Sequence, residues 1–108
     1  MKLLICVVQD DDVDLLMEDF VEQSFRVTKL SSTGGFLKKG NTTLFLGVDD
    51  DQINVALDII RRNCSRRTTI APMVNPGLDA SIYASLPVKV EVGGATVFQL
   101  DIDAMYRL

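Results

Sequence analysis

The sequence predicts an α+β fold of the order β-α-β-β-α-β, and two observations predict it. The first is a repeat. VVQDDDVDLLMEDF and LGVDDDQINVALDII each join an apolar strand end, three aspartates and an apolar-periodic helix, with Asp10 and Asp49 standing 39 residues apart. A spacing of that size is one β-α-β half, so the chain reads as two related halves. The second is what lies between the helices. Residues 25–30 and 41–48 are strand-like and are joined by a stretch punctuated by Gly34, Gly35 and Gly40. Two β-α-β halves meeting in this way make a ferredoxin-like sandwich.

Residues 2–8 form a continuous apolar run bounded by Gln9 and Asp10. Leu3, Ile5 and Val7 face one way, and Leu4, Cys6 and Val8 the other. The run is too short and too closely followed by acids for a signal peptide. Residues 11–24 carry Val13, Leu16, Met17, Phe20 and Val21, the stripe of an amphipathic helix. Residues 51–63 repeat the pattern with Ile53, Ala56, Leu57 and Ile60 inward, and Arg61 and Arg62 in the last turn suit the negative end of the helix dipole. Each aspartate triplet stands where a helix needs a cap; capping explains them without invoking magnesium. In residues 41–48, Leu44, Leu46 and Val48 share one face and Phe45 takes the other.

Residues 65–86 read as a long irregular loop, opened by Arg66-Arg67 and broken by Pro72, Pro76 and Gly77; with its exit it spans 65–87. Val88 to Val92 alternates as a strand, Gly93-Gly94 signals a two-residue hairpin, and residues 95–100 return, giving an extra β-hairpin near the C-terminus. The last residues read as a tail with one helical turn capped by Asp101 or Asp103. In a sandwich of this plan the helices cover one sheet face only. Strands apolar on both faces therefore predict an obligate oligomer.

The 108 residues make a single domain, and a hydrophobic fraction of 47% excludes disorder. A net charge of −4 disfavours general nucleic-acid binding, and no apolar run approaches the length of a membrane helix. A cytoplasmic protein is expected. There is no histidine, which removes Ser-His and Cys-His catalysis and His-based metal sites. Cys6 and Cys64 lack a CxxC partner and read as ordinary thiols. No enzyme, cofactor or metal is expected.

The chemistry concentrates between Phe25 and Gly47. Arg26 and Thr28 share a strand face and can meet a phosphate, although surface pairing explains them too. Phe36 sits beside Gly35 on a polar loop, where it can stack on a base. Asn41 can read an adenine edge or simply close the loop. Gly47 leaves room for a group to approach the backbone. The run from Gly35 through Thr42 nearly spells a phosphate-binding P-loop, but Asn41 replaces its lysine and a strand follows instead of a helix.

Phe25 to Thr43 reads F-R-V-T-K-L-x-S-T-G-G-F-L-x-x-G-N-T-T, and Glu91 to Phe98 reads E-V-G-G-A-T-V-F. With the opening Q-D-x-D, these motifs resemble the P-II-like cyclic di-AMP receptor family along nearly the whole chain. The resemblance implies a homotrimer that binds the second messenger cyclic di-AMP between neighbouring subunits and signals to an unidentified downstream protein. It implies ligand contacts at Arg26, Thr28, Gly35, Phe36, Leu37, Asn41 and Gly47, with Gly93 and Gly94 closing the pocket from the adjacent subunit. Ser24 departs from the family, which often has Asn or Gly there. Two alternatives stand beside this reading. One is a P-II-like sensor of another adenine nucleotide such as ATP, although the Tyr-bearing loop of the P-II proteins proper is missing. The other is a trimeric scaffold of the same fold.

Overall fold

The computed structural model describes residues 1–30, 40–72 and 87–108. The chain runs β1 (Lys2–Gln9), α1 (Asp10–Glu22), β2 (Val27–Leu30) and β3 (Asn41–Val48). It continues through a 3-10 turn (Asp50–Gln52), α2 (Ile53–Cys64), β4 (Arg67–Pro72), β5 (Pro87–Val92) and β6 (Ala95–Asp101). The main sheet has the order β2-β3-β1-β6, and every neighbouring pair is antiparallel. Among the described residues, a second sheet holds β4 and β5.

The core lies between the main sheet and the two helices. Alternation along β1 and β3 drives Leu4, Cys6 and Val8, and Leu44, Leu46 and Val48, onto the helix-covered face, where all are buried. Helix α1 supplies Val13, Leu16 and Phe20, and α2 supplies Ala56, Ile59, Ile60 and Cys64. Met17, Ile53 and Leu57 pack against this cluster, half-buried. Val21 does not join the stripe; it is exposed at the end of α1, while its neighbour Phe20 is fully buried. Both cysteines are free and buried. Burial pushes the Cys6 thiol up to about 11 and the Cys64 thiol up to about 12, so both remain neutral near pH 7.

The end of α1 shows why Ser24 matters. Phe25 N–H donates to the Phe20 carbonyl (2.8 Å) and Ser24 N–H to that of Val21 (3.0 Å). The Phe20 and Phe25 rings meet edge to face at 5.6 Å. These are the two hydrogen bonds and the apolar contact of a Schellman cap. The cap needs a left-handed residue, and Ser24 supplies it at φ 66° with a Cβ to accommodate. Ser24→Gly is therefore expected to raise unfolding stability by about 1 kcal/mol, read as a higher urea midpoint with an unchanged slope.

Three expectations are corrected. The stretch after α2 is not wholly irregular, because residues 67–72 form β4 and pair in register with β5, Arg67 opposite Val92. Gly93-Gly94 does not close a hairpin: β5 pairs with β4, whereas β6 fills the free edge of β1. The extra hairpin is thus β4–β5, and the two glycines carry the chain from one sheet to the other. Beyond Asp101 the chain forms no helical turn, and Met105, Tyr106 and Leu108 stand exposed.

The face of the main sheet turned away from the helices is apolar. Register places Ile5 beside Phe45 and Phe98, and Leu3 beside Leu100. Phe98 is 55% and Leu100 45% exposed, with Leu3, Ile5, Val7 and Phe45 half-buried.

Candidate ligand-binding site

The site expected from sequence falls into two parts. Thr28 lies on β2 opposite Phe45 and therefore on the open face. Arg26 stands one residue ahead of β2 rather than on it, in line with Thr28 by the two-residue period; both are exposed. Continuing the β2–β3 register by one residue puts Arg26 across from Gly47. These three residues share one corner of the sheet. A Cβ at Gly47 would touch only the Met1 Cε, at 3.5 Å, which is ordinary contact. Nothing among the described residues demands a glycine there, so its bare backbone is available to an incoming group. Among the described residues, the Arg26 guanidinium has no carboxylate partner.

Asn41 begins β3, exposed, and pairs with Gln9. It is six residues from Gly47, roughly 20 Å along an extended strand. One subunit therefore does not bring Asn41 to the Arg26 corner. It brings Asn41 near Gly93 instead, because Gly93 N–H donates to the Gln9 Oε1 at 2.8 Å. Gly35, Phe36 and Leu37 lie outside the described residues.

Gly93 and Gly94 have a role within the chain. Their φ values are 87° and 94°, in the left-handed region. A Cβ on Gly93 would lie 2.5 Å from the Ser65 carbonyl oxygen and 2.7 Å from Arg67 Nη1. Gly94 N–H donates to the Cys64 carbonyl at the end of α2. Gly93→Ala is expected to destabilise the fold by about 1–3 kcal/mol through strain and clash, visible as a lower melting midpoint. An unchanged midpoint would show that the root of the hairpin can yield.

The aspartate triplets differ from one another. Asp49 begins a capping box, its N–H donating to Gln52 Oε1 at 2.9 Å. At the first triplet Gln9, not an aspartate, is the N-cap, and Asp10, Asp11 and Asp12 fill the first turn, favourable with the dipole. Asp10 accepts from the Thr42 hydroxyl, and Asp12, only 5% exposed, accepts from Arg67 Nη2 at 2.8 Å. The nearby Asp12 carboxylate raises the already high Arg67 pKa further. Gln9, Asp10, Asp11 and Gly40 line a small cavity of about 230 Å³ beside Asn41. Sequence reading did not find this cluster. Its members are far apart in the chain, and the only sign of them was the repeated triplet itself.

Among solved structures, a functionally unknown protein from Pediococcus pentosaceus is similar. It shares 39% identity over 99% of this chain and 96% of its own, with a TM-score of 0.76. The model of the cyclic-di-AMP receptor family matches residues 1–108. The chain belongs to the cyclic-di-AMP receptor family.

Proposed function

We propose that this protein is a non-enzymatic receptor for cyclic di-AMP. In this reading it is a ferredoxin-like, P-II-like subunit that assembles as a homotrimer, holds the ligand between neighbours and acts in the cytoplasm on a downstream protein. The family match over the full chain carries the reading. The Arg26, Thr28 and Gly47 corner supports it, since it joins a cation, a hydroxyl and open backbone, the set a phosphodiester needs. The separation of that corner from Asn41 supports a ligand shared by two subunits, with one chain lending its Arg26 corner and its neighbour its Asn41 end. The apolar open face supports assembly, because Phe98, Leu100 and Ile5 gain by being covered.

The reading is tested by light scattering with and without nucleotide. A mass of three chains, and a melting midpoint raised by cyclic di-AMP in proportion to the logarithm of its concentration, are expected. A monomer that melts at the same temperature with and without cyclic di-AMP would contradict both parts.

A further inference from the structure

We propose that Gln9, Asp10 and Asp12, at the head of α1, are positioning residues that mechanically couple the start of β3 to the root of the β4–β5 hairpin. Two elements distant in sequence converge on these side chains. From one side, Asp10 N–H donates to the Gly40 carbonyl (3.3 Å), and the Thr42 hydroxyl donates to Asp10 Oδ1. Gly40 packs so close that a Cβ there would lie 2.5 Å from Asp10 Oδ2. From the other side, Gly93 N–H donates to Gln9 Oε1, and Arg67 Nη2 to Asp12 Oδ1, both at 2.8 Å.

The hairpin root is held at this junction and by the Gly94 N–H bond to the Cys64 carbonyl. Among the described residues, β4 and β5 pair only with each other, in a sheet separate from the main one. Asp12 gives the junction its stiffness. Its carboxylate is buried, and Oδ2 has no hydrogen-bond partner among the described residues. Losing Arg67 would leave a buried charge with no compensating cation, so the pair resists opening. Arg67 Nη1 also donates to the Ser65 carbonyl (3.2 Å), which fixes the same guanidinium to the end of α2. A shift of Gly40 or Thr42 thus moves the first turn of α1, and that turn holds both feet of the hairpin. That ligand occupancy at Asn41 travels by this route rests on the receptor reading; the coupling itself does not.

Amide hydrogen exchange on the full, ligand-free chain tests it. Thr42→Val removes one hydroxyl far in sequence from the hairpin, and Arg67→Met removes the pair at the hairpin root. Thr42→Val is expected to speed exchange at Thr68 to Ile70 and Lys89 to Glu91 about tenfold, and Thr42→Ser to restore it. Arg67→Met is expected to do the same at Asn41 to Thr43, with Leu4 to Cys6 unchanged. A far end that does not respond, or a response shared equally by Leu4 to Cys6, overturns the proposal. Because no ligand is present, a failure of cyclic di-AMP to bind would count against the receptor reading and leave this result standing.

Discussion

Phe20→Ala is expected to remove about 3–5 kcal/mol of stability, a large part of the roughly 5–15 kcal/mol available to a domain of this size. Phe20 is fully buried between the helices and the sheet. Its ring also packs edge to face on Phe25, and its carbonyl accepts the bond that closes α1. The substitution therefore opens a cavity and loosens the cap that aims the chain into β2. Because β2 begins two residues after Phe25, with Arg26 between them, Arg26 and Thr28 lose their footing with it. Urea unfolding at one fixed protein concentration measures the loss, since assembly makes stability depend on concentration. A loss under about 1 kcal/mol would mean that the site collapses around the missing ring.

Arg26→Ala is expected to weaken cyclic di-AMP binding by about 1.5–3 kcal/mol, or about 10- to 150-fold in Kd, the range of a hydrogen bond to a charged group. The melting midpoint of the free protein should barely move, because exposed side chains without partners contribute within about 0.5 kcal/mol. Arg26 is exposed, and the same argument covers Asn41→Ala at the far end of β3. An unchanged Kd for Arg26→Ala would remove this residue from the site. A lowered midpoint would make it a structural residue.

Much of the main sheet was legible because it obeys local periods. The alternation of Leu44, Leu46 and Val48 placed β3 at its observed bounds, and the same rule put Arg26 and Thr28 on one face; the β2–β3 register adds Gly47 to them. The stripe of α1 was legible except at its end, where Val21 turns outward. What was not legible depends on distant partners. Arg-Arg-Thr-Thr shows no apolar alternation, and residues 67–72 become a strand only because β5 is present to pair with them. Gly93-Gly94 carries a sound local hairpin signal. The free edge of β1 recruits β6 instead, a choice that no window around the glycines contains. The first aspartate triplet reads as a cap because capping is local. Its working partners, Thr42 and Arg67, lie 32 and 55 residues away. The division of the site also went unseen, since a list of contacts carries no distance between Gly47 and Asn41.

Calorimetric titration of the intact protein with cyclic di-AMP, set against ATP, cyclic di-GMP and linear pApA, tests the receptor reading most directly. Saturable binding near one ligand per subunit, selective for cyclic di-AMP, is the predicted result. Absence of heat with cyclic di-AMP, or tighter binding of ATP, would contradict it.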